Sequence, residues 1–131
     1  LYCLDLTSGR PLWESRVEGS LAASPALDRD SVYAGTRSGM LYRLRVENGS
    51  VRWARRLAPG LFSIPRIFAG GVLVSDPEGV IHCLSAESGE QVWEYNLFSG
   101  APARLTVGGE RIFAASADRK LYCLSGSEQE K

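Results

Sequence analysis

The side chains able to do chemistry in this chain are few: one histidine, His82, three cysteines, Cys3, Cys83 and Cys123, a set of carboxylates and a concentration of arginines. A hydrolytic triad needs a nucleophile, a base and a group that orients the base, so every such set would have to converge on His82. One histidine also excludes metal sites built on several imidazoles. The three cysteines stand forty or eighty residues apart, so they form no vicinal pair. Asp5, Asp28, Asp30, Asp76, Glu78 and Asp118 fall at turns, where short acidic side chains bond the local backbone. Arg37, Arg43, Arg45, Arg52, Arg55 and Arg56 could form a basic patch for an acidic partner or nucleic acid. The 15 basic and 15 acidic residues cancel, leaving no general attraction to polyanions. The arginines are therefore read as a solvated edge, with no nucleic-acid partner expected.

The elements that position these groups follow from an internal repeat. Leu1-Tyr2-Cys3-Leu4 recurs as Leu41-Tyr42-Arg43-Leu44, Ile81-His82-Cys83-Leu84 and Leu121-Tyr122-Cys123-Leu124. Gly9, Gly49 and Gly89 keep the same period, as do Trp13, Trp53 and Trp93. Val32, Val72 and Ile112 match, and so do Tyr33, Leu73 and Phe113. His82 thus occupies a position held elsewhere by tyrosine and reads as a packed strand residue. The cysteines share one repeat position and read as small apolar fillers of a strand.

Each period holds four short apolar segments, which in the second are Ala23–Asp28, Val32–Thr36, Met40–Arg45 and Val51–Leu57. Their length, β-branched and aromatic content and partial alternation predict strands. Between them, Asp28-Arg29-Asp30, Arg37-Ser38-Gly39 and Glu47-Asn48-Gly49-Ser50 carry turn chemistry. A four-stranded antiparallel sheet cannot bury both faces alone, so neighbouring sheets must stack. Radial stacking gives an all-β propeller; a linear β-solenoid is the alternative, but its repeats are usually shorter and lack hairpin-linked strands. The 131 residues, 44% hydrophobic and 23% charged, suit a globular domain. No apolar run approaches the roughly 18 residues of a membrane helix.

Leu1-Tyr2-Cys3-Leu4-Asp5-Leu6-Thr7-Ser8-Gly9-Arg10-Pro11-Leu12-Trp13 closely resembles the pyrroloquinoline-quinone (PQQ)-like propeller repeat, L-Y-A-L-D-x-x-T-G-x-x-x-W. Ile81 to Trp93 matches with Cys83, Ser85 and Ser88-Gly89 as variants, and Leu41 to Trp53 with Arg43, Arg45 and Asn48-Gly49. The resemblance implies blades of four strands, with each tryptophan packed against a glycine turn and the adjacent blade. Quinone-dependent dehydrogenases of this family use vicinal cysteines and a calcium cage, neither of which is visible here, so no cofactor or metal is expected. The Tyr-Cys-Leu blade ends also resemble the C-terminal propeller of β-alanine-activating, adenylate-forming enzymes, and outer-membrane assembly lipoproteins carry a similar propeller.

The expected organisation is a partial blade over 1–17, blades over 21–57 and 61–97, a partial blade over 101–125 and a polar tail over 126–131. About three blades cannot close a ring, so the segment reads as the C-terminal part of a larger propeller. Its expected role is that of a non-catalytic scaffold for a protein partner or another domain of the same parent chain. The alternative is a piece of a quinone-dependent dehydrogenase. The loops Glu18–Ala22, Ala58–Phe62 and Phe98–Ala101 gather at one end of such an array, which makes Leu61, Phe62 and Phe98 the candidate interaction rim; packing between blades is the competing role for the same three. Buried free thiols favour a reducing compartment, whereas Asn48-Gly49-Ser50 would be a glycosylation sequon in a secreted protein.

Overall fold

The computed structural model describes residues 1–21, 23–61 and 63–125, and these are all-β. A short hairpin pairs β1 (Tyr2–Leu4) with β2 (Pro11–Glu14). A four-stranded sheet then runs β3 (Ala26–Asp28), β4 (Ser31–Gly35), β5 (Met40–Arg45) and β6 (Val51–Arg56). A second repeats it as β7 (Arg66–Phe68), β8 (Gly71–Ser75), β9 (Val80–Ser85) and β10 (Gln91–Asn96). The last sheet is β11 (Ala103–Gly108), β12 (Arg111–Ser116) and β13 (Leu121–Ser125). All pairings are antiparallel between sequence neighbours. Innermost strands of adjacent sheets touch, β3 against β7 and β11 against β7 and β8. The sheets are therefore stacked blades of an open arc.

Apolar residues seal three seams. Ala34, Tyr42 and Leu44 pack on Leu1, Val17 and Leu21 behind the first hairpin. Tyr33, Leu41, Leu61 and Trp53 meet Val72, Val74 and Leu84 across the next. Leu73, Ile81, Cys83 and Leu97 meet Ala103, Leu105, Ile112 and Ala114 across the third. Alternate residues of each strand serve opposite seams, as the period of two requires. Because both faces of β8 and β9 are covered, these strands are buried almost throughout and lose the polar–apolar alternation of a half-exposed strand.

One irregularity recurs with the repeat and leaves no mark in the hydrophobic pattern. Between the third and fourth strand positions the register slips so that Trp13 faces Cys3 while Pro11 faces Leu4, Trp53 faces Arg43 while Val51 faces Leu44, and Trp93 faces Cys83 while Gln91 faces Leu84. Leu12, Arg52 and Val92 are the extra residues of three equivalent bulges. A bulge re-aims the side chain beside it, and here that side chain is the tryptophan. Trp13 and Trp53 each lie over the glycine turn of the following blade: an ideal Cβ on Gly49 would stand 2.4 Å from the Trp13 ring, and one on Gly89 2.6 Å from the Trp53 ring. Both glycines have φ of +73°, so the turn needs glycine for its backbone and again for the ring above it.

Two substitutions separate these needs. Gly70 also has positive φ (+76°), but nothing lies within 4 Å of its missing Cβ. Gly70→Ala should cost about 1 kcal/mol of left-handed strain, while Gly89→Ala should add overpacking of about 1–3 kcal/mol. Urea unfolding midpoints measure both, and equal losses at the two sites would mean that Trp53 does not bear on the turn.

Candidate functional site

The polar groups singled out by sequence are largely engaged in holding blades together. The indole N–H of Trp13 donates to the Val46 carbonyl (2.8 Å), and that of Trp53 to the Ala86 carbonyl (3.0 Å). Arg43 replaces the cysteine found at its repeat position in the other blades, and its longer side chain crosses the same seam. Its Nε donates to Ser31 Oγ (2.8 Å) and its Nη1 to the Ala86 carbonyl (2.7 Å), with Cζ 5.9 Å from the Tyr33 ring centroid. Tyr33 is tilted against Trp53, centroids 6.1 Å apart. Arg55 donates to the Gly89 and Ser88 carbonyls of the next blade, and Arg56 pairs with Glu18 at 2.9 Å. Arg52 pairs with Asp30 at 2.6 Å, while the Ser31 hydroxyl and then Arg52 hold the Asp30 carboxyl below its ordinary range. The expected solvated basic edge is also a set of tethers at Arg43, Arg52, Arg55 and Arg56, of which Arg55 and Arg56 remain exposed. Charge composition alone cannot reveal the Arg43 and Arg55 tethers, because their carbonyl partners carry no charge.

His82 is buried, with Nε2 3.1 Å from Asp76 Oδ2. Asp76 Oδ1 accepts the backbone N–H groups of Glu78 and Val80, both 3.0 Å. The tyrosines at the equivalent position do related work. Tyr42 Oη accepts the Glu18 N–H, and Tyr122 donates to Asp118 at 2.6 Å. That bond holds the Asp118 carboxyl below its usual value and the Tyr122 hydroxyl above its own. The shared role is to fasten the third strand to the turns and loops at one end of the arc. Asp76 bonds the local backbone at its turn, as expected, and is buried as part of this fastening. Among the described residues no group of three or more His, Cys, Asp or Glu is placed to hold a metal ion.

The cysteines diverge. Cys83 is buried, and burial pushes its thiol up to about 11. Cys3 is half-buried and Cys123 exposed, and all three are free. The expectation of three apolar fillers holds in full at Cys83 alone; Cys3 is only half-buried in the first hairpin and Cys123 is exposed on the last sheet. Cys83 also lines a cavity of about 540 Å³ between the third and fourth sheets, with Phe68, Leu73, Trp93, Ile112 and Leu124. An apolar cavity with a neutral thiol can hold an apolar group but offers no nucleophile.

At the loop end, Leu61 does not stand on a rim. It is buried in the second seam, its side chain close against Gly35. Phe62 and the tail 126–131 lie outside the described residues. Phe98 is 88% exposed and holds a positive φ of +54°. Its N–H donates to Asn96 Oδ1 at 2.7 Å, and Leu97 beside it is buried. The backbone leading into a ring turned to solvent is thus anchored.

These features define an open arc of a PQQ-like β-propeller. The family described as outer membrane protein assembly factor BamB matches over residues 1–76 and 56–130, and the chain belongs to it. BamB from Moraxella catarrhalis is similar at 25% identity with a TM-score of 0.77, over 95% of this chain and 39% of that one. Quinohemoprotein alcohol dehydrogenase from Comamonas testosteroni is 22% identical over 72% of this chain and 18% of that one, TM-score 0.64. The WD40 repeats of RRP9 are 12% identical over 87% and 38%, TM-score 0.73. The last two show the fold alone. The chain spans about two fifths of the Moraxella protein's length. No curated protein matches it.

The thiol environments predict an order of reactivity. With a disulfide reagent at about pH 8, reaction needs an accessible thiol, and the buried Cys83 thiol, pushed up to about 11, is almost wholly neutral. Cys123 should react first, Cys3 more slowly and Cys83 only on unfolding; simultaneous labelling of all three in folded protein would contradict the seam described.

Proposed function

We propose that this arc is a non-catalytic protein-interaction scaffold whose contact surface includes the loop end around Phe98. The observation that carries it is Phe98 itself, a large ring presented to solvent on a left-handed backbone that Asn96 and Leu97 anchor. Strained residues persist where the surroundings fix them, and they cluster at functional surfaces; aromatic anchors dominate binding energy at interfaces. The engagement of His82, Asp76 and the arginines in internal bonds supports the non-catalytic part of the reading. The partner class follows from the family: an outer membrane protein assembly factor acts among other proteins, so the proposed partner is a protein of such an assembly system. This favours the assembly scaffold over an adenylate-forming parent, for which only the Tyr-Cys-Leu blade ends speak.

A photocrosslinking residue placed at Phe98, with one at the exposed outer-strand residue Val51 as control, tests the reading in cells. Adducts with a component of outer-membrane assembly should form from position 98 and not from position 51. Equal adducts from both positions, or none from position 98, would overturn it.

A further inference from the structure

The turns that carry Gly9, Gly49 and Gly89 are built alike. In each, the glycine N–H donates four residues back, to the carbonyl of Asp5, Arg45 or Ser85 (2.8, 2.9 and 2.8 Å). In each, the side chain before the glycine accepts an N–H from two residues ahead: Ser8 Oγ from Arg10, Asn48 Oδ1 from Ser50 and Ser88 Oγ from Glu90. Serine meets this need in two of the turns, so the turn does not require the amide group of Asn48. That amide brings a reactivity that serine lacks. The backbone nitrogen after an asparagine can attack the side-chain amide carbon, and glycine, with no Cβ, obstructs the approach least. In the folded turn the two reactants are kept apart. The Gly49 N–H, which must first lose its proton to solvent base, is bonded to Arg45, and Gly49 is buried beneath the Trp13 ring while Asn48 is exposed. The indole N–H pins that ring in place on the Val46 carbonyl. The nucleophile is shielded and the electrophile stands in water.

We propose that Asn48 is a latent deamidation site guarded by Trp13 and converted when the first seam opens. On opening, Gly49 N gives its proton to solvent base and attacks Asn48 Cγ. Nδ2 takes a proton from water and leaves as ammonia, closing a succinimide ring. Water then adds to either ring carbonyl and opens it to aspartate or isoaspartate, with no change of oxidation state. Both products place a carboxylate in the turn, and isoaspartate also lengthens the main chain by one carbon, which displaces Gly49 from beneath the ring. A transient opening of the seam is thereby made lasting.

Ser8→Asn and Ser88→Asn, introduced together, place the same dipeptide in all three turns. Trp53 covers Gly89 as Trp13 covers Gly49, whereas nothing lies within 4 Å of the missing Cβ of Gly9. Conversion in mildly alkaline buffer is read by peptide mass spectrometry, as the mass gained when an amide becomes a carboxyl. Position 8 should convert on the order of tenfold faster than positions 48 and 88, which needs an opening cost of only about 1.4 kcal/mol. Adding Trp13→Leu should bring position 48 up to the rate of position 8 and leave position 88 slow, the slow site also reporting that the other seams remain folded. Equal rates at all three positions while Trp13 is present, a position 48 that stays slow without it, or a rise at position 88 matching that at position 48 would each overturn the proposal.

Discussion

The arc depends on an indole ring laid across a turn in the next blade. A sheet of four short strands has two apolar faces and no way to cover both, so its stability is borrowed from its neighbours. Trp13 and Trp53 make that borrowing specific. Each ring covers a glycine that tolerates no Cβ beneath it, and each N–H finds a carbonyl thirty-three residues ahead. The flat apolar face needs a flat partner, and only a glycine turn offers one. The polar edge needs an acceptor, and the same turn exposes one. A single side chain thus fixes the distance and the register between blades.

Around this contact the second seam has been elaborated. The Ala86 carbonyl accepts from both Trp53 and Arg43. Arg43 spreads across Tyr33, which is tilted against Trp53. Buried guanidinium groups are tolerated when their donors are met, and Ser31 and Ala86 meet them here. The third seam lacks such an arginine. Its cross-blade bonds come from Ser75 to the Ala103 carbonyl (2.5 Å) and Arg66 to the Leu105 carbonyl (2.8 Å).

Much of this was legible in the sequence, for a physical reason. Strand, turn and tryptophan recur every forty residues, and a repeated unit repeats its neighbours, so Met40–Arg45 and its counterparts could be placed almost to the residue. The rest depends on partners that the repeat does not encode. Leu61 reads as an exposed loop residue because its neighbours Pro59 and Gly60 are loop-formers, yet it is drawn into the seam beside Gly35. The bulges at Leu12, Arg52 and Val92 shift pairing by one residue without changing composition. The Arg43 and Arg55 tethers end on backbone carbonyls, which every residue carries and no motif marks. Phe98 stood out by sequence as an apolar loop residue, but its left-handed backbone could not be read from the residue type, since phenylalanine rarely adopts it.

The most direct measurement of the central contact is a double-mutant cycle between Trp53 and Gly89, read as unfolding free energies in urea. Trp53→Leu removes the ring that an alanine at position 89 would strike. The account predicts that the cost of Gly89→Ala falls markedly in the Trp53→Leu background, a coupling of about 1–2 kcal/mol. Additive losses, with no coupling between the two sites, would contradict it.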